Sequence, residues 1–121
     1  MPLTVFESVI YVALLAHVRE QLKKGDMIIG ATVQELSKKL SRPISSVRAA
    51  LNGVAKAGLV VAESPGAALL LTQGRSAKEK IWRPAHKLDD EEIKKVLNEH
   101  PEIVSNIGKE ILEKYLGIKL D

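Results

Sequence analysis

The stretch Thr32 to Val60, TVQELSKKLSRPISSVRAALNGVAKAGLV, constrains this chain more than any other. It predicts two short helices joined by a tight turn. Thr32 caps the first, and Glu35, three residues on, completes a capping box. Val33, Leu36 and Leu40 then recur on one helical face. Ser41-Arg42-Pro43 breaks that helix, because Pro43 has no N–H and disfavours helix at Arg42. Ile44 supplies an apolar contact in the turn. Ser45 or Ser46 caps a second helix, whose Val47, Leu51 and Val54 form the next buried stripe. Gly58 is a stop signal, and Leu59-Val60-Val61 turns the pattern to strand.

Helix, sharp turn, helix and then a β-branched run describe a helix-turn-helix leading into a wing. Ser46-Val47, Leu51, Val54 and Gly58-Leu59-Val60 resemble the end of a recognition helix and the start of a wing in winged helix-turn-helix regulators of the MarR and ArsR type. The resemblance covers about half of the chain. It implies a mainly α fold with a small antiparallel β-wing, and a DNA-binding function. The competing reading is a helical hairpin in some other α+β domain.

A chain of 121 residues fits one domain with a helical extension. The boundaries expected are residues 1–88 for the winged helix-turn-helix and 89–121 for C-terminal helices that serve dimerisation. Charge follows the same division: residues 1–88 carry 13 Lys/Arg against 6 Asp/Glu, and residues 89–121 carry 5 against 9. The basic part suits a phosphate backbone, and the acidic part does not. An unevenly charged solvated surface is the bland alternative.

The absence of cysteine excludes disulfides and thiolate chemistry and is compatible with a reducing compartment. No apolar run reaches transmembrane length, and no signal peptide is recognisable. A cytoplasmic protein without a membrane partner is expected. His17, His86 and His100 lack partners at metal-ligand spacing, and no GxSxG, P-loop or GxGxxG appears. The reading assigns no catalytic residue, metal or cofactor.

The first helix is expected over Val5–Lys24, with Thr4 and Glu7 as its capping box and Gly25 as its stop. Its apolar arc is wider than one core requires. The cover expected is a partner subunit, giving a homodimer through the first and C-terminal helices; the counter-reading is that the C-terminal helices of the same chain supply it. Met27–Gly30 reads as a short strand. Asp89–Glu92 opens a helix through Glu99. The four carboxylates do not converge on one face, so they suit the positive helix end rather than a metal. A final helix is expected from about Glu102 to Leu116, with Ile103, Ile107, Ile111 and Tyr115 on one stripe and Val104, Leu112 and Leu116 beside it.

Leu59–Glu63 reads as one strand, Ser64-Pro65-Gly66 as a turn and Ala68–Thr72 as a second strand, and from there two readings of the wing diverge. In one, Leu71-Thr72 with Gly74-Arg75 resembles a MarR-type ending one residue short, and a helix begins near Ser76. In the favoured one, Gly74–Ala77 is a hairpin tip and Lys80–Arg83 is the returning strand, ended by Pro84. Arg75, Lys78 and Lys80 then form a basic tip.

Double-stranded DNA is the expected partner. Arg48 suits guanine O6/N7 and Asn52 suits adenine N6/N7, each bidentate. A phosphate contact remains open for Arg48, and a solvated side chain for Asn52. Ser45 and Ser46 lie at the positive helix end and suit phosphate. Ala49 permits close approach. Lys38, Arg42, Arg75, Lys78 and Lys80 supply backbone contacts. Transcription regulation is the leading function. The alternatives are a winged-helix protein-interaction subunit of transcription or replication machinery, and an architectural chromatin protein without sequence choice.

Overall fold

The computed structural model describes residues 2–64 and 80–120. Arg75 and Lys78, the strand expected over 68–72 and the hairpin tip expected over 74–77 lie outside them. The described chain is mainly helical, with a small two-stranded antiparallel sheet.

α1 spans Val5–Lys24. Its start is fixed as the sequence predicts: Glu7 N–H donates to Thr4 Oγ1 at 3.1 Å, and Thr4 N–H donates to Glu7 Oε1 at 2.8 Å. Gly25 ends it in the left-handed conformation. Residues Ile10 to Leu15 are buried without interruption. Six consecutive positions go more than once around a helix of 3.6 residues per turn, so α1 is enclosed on all sides there.

The cover comes from the same chain. α2 (Val33–Leu40), α3 (Ile44–Lys56) and β2 (Ile81–Pro84) pack on α1, and so do α5 (Pro101–Ile107) and α6 (Lys109–Leu116). The C-terminal helices thus cover much of the apolar arc of α1, while Val5 and Leu22 stay exposed. One hydrophobic cluster joins Leu14 and Leu15 to Leu51 and Val54 on one hand and to Ile93, Ile103 and Leu112 on the other. The segments divided at residue 88 share that core.

α2 opens on its predicted box, with Glu35 N–H donating to Thr32 Oγ1 at 3.1 Å and Thr32 N–H to Glu35 Oε1 at 2.9 Å. It closes at Ser41, φ +53°, where Arg42 N–H reaches back to the Ser37 carbonyl. α3 starts earlier than expected. Pro43 is its N-cap, φ −59° and ψ 146°, and Ile44 is already helical and 40% exposed. The proline ring fixes the extended entry geometry without a capping side chain. Ser45 and Ser46 therefore lie inside the first turn and are not caps.

After Gly58, β1 (Val60–Glu63) pairs antiparallel with β2 in the register Val60↔Pro84 to Glu63↔Ile81. The returning strand lies where the hairpin reading places it, one residue later. Trp82 is 8% exposed and belongs to the core. The opposite edge of β2 is taken by Ala31, which exchanges both backbone hydrogen bonds with Trp82 at 2.9 and 2.8 Å.

That bridge displaces the strand expected at Met27–Gly30. Gly30 N–H donates to Gln21 Oε1 at 2.7 Å, and the Gly30 carbonyl accepts from Gln21 Nε2 at 2.9 Å. The amide of a buried α1 side chain thus takes the groups a strand partner needs, and Met27 is left in solvent.

α4 spans Asp90–Glu99 as expected. The final helix is two helices instead of one, because Gly108 adopts φ +102° and ψ 136°, a conformation open to glycine and rarely to other residues. The kink rearranges the stripes. Ile103, Leu112 and Leu116 are buried, whereas Ile111 and Tyr115 are 60% and 51% exposed. The N-terminal strap is tied to α5: Leu3 N–H donates to Glu102 Oε2 at 3.0 Å, and Asn106 Nδ2 donates to the Leu3 carbonyl and to Ser8 Oγ. Buried Tyr11 donates its hydroxyl to His86 Nε2 at 2.5 Å. His86 Nδ1–H faces the Lys87 carbonyl, and burial raises the Tyr11 phenol well above its ordinary range.

Candidate nucleic-acid interface

The face opposite the α3 core stripe is fixed by helical spacing. Val47, Ala50, Leu51 and Val54 are buried. Ser45, Arg48, Ala49, Asn52 and Lys56 follow at intervals of one, three and four, and all five are exposed. Ser46 is exposed beside Ser45 in the first turn. The expected residues of α3 are thus brought to one solvent face.

Burial of Val47 and Leu51 against α1 and α2 holds that face in place, since a Leu buried in this way contributes about 1.5–3 kcal/mol relative to exposure. α3 has no side-chain cap, so the N–H groups of its first turn are open at the positive end of the helix dipole.

Lys38 lies exposed in the last turn of α2, and Arg42 lies exposed in the turn. The Arg42 guanidinium stands over the Phe6 ring at 5.8 Å from its centroid. That contact ties the turn to the start of α1 and leaves the charge in solvent. Lys80 is exposed just before β2.

Lys56 lies on the outward face that the helical spacing predicts, and Lys39, which the sequence does not single out, is exposed on the same helix pair. The Lys38-Lys39 doublet was the available signal, and it required knowing which side of α2 is outward. Among the described residues, Lys38, Lys39, Arg42, Arg48, Lys56 and Lys80 have no carboxylate within ion-pair distance. The acidic groups of this part are engaged locally. Glu7 and Glu35 close capping boxes, and Glu63 pairs with Arg83 at 2.5 Å. The Arg83 hydrogen bond holds the Glu63 carboxyl below its usual range. Among the described residues, these cations around α2 and α3 are therefore without an ion-pair partner, which an anion can exploit.

No group of three or more metal-ligating side chains occurs among the described residues. Nor is any described helix long and apolar enough to cross a membrane.

The architecture defines the class of the chain at a coarse level: a mainly helical protein with a two-stranded antiparallel sheet. In comparison with known proteins, no family model, no curated protein and no solved structure matches it.

Proposed function

We propose that this chain is a winged helix-turn-helix protein that binds duplex DNA, with α3 in the major groove and the β1–β2 hairpin against the backbone. One observation carries the reading. The exposed line Ser45, Arg48, Ala49 and Asn52 on α3 adjoins uncompensated cations on α2 and the turn. The antiparallel pairing of β1 with β2 after α3, with Ala31 bridged to Trp82 on the other edge of β2, supports it.

In this reading Lys38, Arg42, Lys80 and the open α3 N-terminus meet phosphate, and Arg48 and Asn52 meet base edges. Arg75 and Lys78 extend the backbone contacts on the evidence of the sequence alone. Regulation of transcription from a cytoplasmic location is the role such a module suits. A homodimer through α1 and the C-terminal helices would place two copies of α3 for half-sites about one DNA turn apart.

The test is a fluorescence-anisotropy titration of labelled duplex at two salt concentrations. Binding that weakens as salt rises supports DNA as the partner. Enrichment of one sequence from a random duplex pool supports site-specific regulation, and equal binding of all sequences supports the architectural role.

A second reading, a protein-interaction module, is favoured by the small side chains of the α3 face and by exposed Ile44. Failure to bind duplex at low salt selects it.

A further inference from the structure

Arg42 stands in the turn between α2 and α3 with its backbone pinned on both sides. Its N–H donates to the Ser37 carbonyl at 3.1 Å, and its carbonyl accepts from Ser37 Oγ. The ring of Pro43 then fixes the next residue at φ −59°. What such a residue keeps is the freedom of its side chain, which an exposed arginine loses when it grips a ligand. Here that freedom is already restricted. The guanidinium stands over the Phe6 ring, 5.8 Å from its centroid, within the range of a cation–π contact.

Phe6 is itself held. It is half-buried and packs on the hydrophobic core. Its neighbour Glu7 closes the α1 capping box and lies against Gly53, which fixes the first turn of α1 beside α3. The aromatic ring is therefore a rigid platform, and the guanidinium is the movable part that settles on it.

Phe6, Arg42, Pro43 and Ser46 together line an open recess of about 380 Å³. Arg42 and Ser46 bring N–H and O–H donors to it, and Phe6 and Pro43 bring apolar walls. None of the four is acidic, and among the described residues Arg42 has no carboxylate within ion-pair distance. Arg42 and Ser46 are both exposed, so a continuous strand passing along the start of α3 can reach them. A guanidinium can stack on an aromatic face and still offer its N–H fork to phosphate, which an ammonium cannot do as well.

We infer that this recess seats one backbone phosphate of duplex DNA between Arg42 and Ser46, and that Phe6 is the positioning residue that holds the Arg42 guanidinium ready for it, an assignment that rests on the DNA-binding reading. Phe6 adds no charge and touches no base. Its effect is on affinity for every sequence alike, through the ordering of one arginine before the duplex arrives.

Phe6 is the only phenylalanine of the chain, so replacing phenylalanine globally with a fluorinated analogue alters this ring alone. Fluorine drains the negative face of the ring while nearly keeping its shape, so the cation–π contact weakens and the packing stays. The test is an anisotropy titration of labelled duplex over a range of salt. The full chain carries phenylalanine, 4-fluorophenylalanine or 3,4,5-trifluorophenylalanine. Affinity is expected to fall stepwise along that series, by about twofold to fivefold in all, the size of an exposed cation–π contact. The slope of log K against log[salt] should stay the same, since the charge is still present. In Arg42→Ala the slope should shrink by about 0.9, one phosphate contact, and affinity should no longer respond to fluorination. Duplex binding that ignores fluorination overturns the inference and leaves DNA binding standing, and so does an equal response in Arg42→Ala. An unchanged salt slope in Arg42→Ala overturns the phosphate site. A chain that binds no duplex at low salt overturns the DNA-binding reading, and this inference falls with it.

Discussion

Gly53 of α3 lies directly against the carboxylate of Glu7, the residue that closes the capping box of α1. A Cβ at position 53 would overlap Glu7 Oε2 and crowd its Cδ at 2.8 Å. A glycine inside a helix costs about 1 kcal/mol relative to alanine. Here it makes room for a neighbour's side chain.

Gly53→Ala should therefore not bring the gain an alanine usually brings. It must push Glu7 off Thr4 N–H, and a lost cap costs about 0.5–2 kcal/mol. In a Glu7→Ala background the cap is already absent, and the same change should stabilise by about 1 kcal/mol. Urea unfolding of the four proteins measures this; equal effects in both backgrounds would sink the coupling.

Gly30→Ala should destabilise by about 2 kcal/mol or more. Gly30 adopts φ +132°, and a Cβ there would stand 2.7 Å from the Trp82 carbonyl oxygen. Gln21→Ala should act on the same loop by leaving the Gly30 N–H and carbonyl unpaired, at a cost of about 1–3 kcal/mol. Chemical denaturation reports both, and hydrogen exchange at Ala31 and Trp82 should rise in both variants.

Stability should fall on mild acidification. The Leu3 N–H, the Glu102 backbone and nearby His100 hold the Glu102 carboxyl below its usual range, and Arg83 does the same for Glu63. A carboxyl whose folded pKa is depressed contributes stability above its unfolded value. That stability is lost as pH falls below the ordinary carboxylate range and through the folded value. Glu102→Gln should flatten this part of the pH–stability curve; an unchanged slope would mean that the strap contact is not formed in solution.

Arg48→Ala should reduce discrimination between duplex sequences, by roughly 1–3 kcal/mol if its contact is bidentate to guanine. Lys38→Ala should weaken all sequences about equally and shallow the salt dependence. Competition titrations with a selected and a scrambled duplex separate the two effects. Uniform loss in both variants would make Arg48 a phosphate ligand.

The sequence by itself determined what depends on near neighbours in the chain. Thr4 with Glu7 and Thr32 with Glu35 form their capping boxes as read, because both partners lie within one turn. Gly25 ends α1, the apolar spacing gives the buried stripes of α2 and α3, and β2 falls within one residue of the expected strand. For the same reason Ser45, Arg48, Ala49 and Asn52 could be assigned to one outward face before any coordinates. The tertiary structure decided what depends on distant residues. The wide apolar arc of α1 calls for cover on a second side, and only packing shows α5 and α6 covering much of it. The strand expected before residue 31 gave way because Gln21 captures Gly30 and Trp82 captures Ala31, pairings that local propensity does not encode. The single C-terminal helix became two because Gly108, which a helix tolerates, takes a conformation that turns Leu112 and Leu116 into the core and leaves Ile111 and Tyr115 outside. A helical pattern states which residues share a face; which of two adjacent apolar faces is buried depends on the shape of the surface waiting for it.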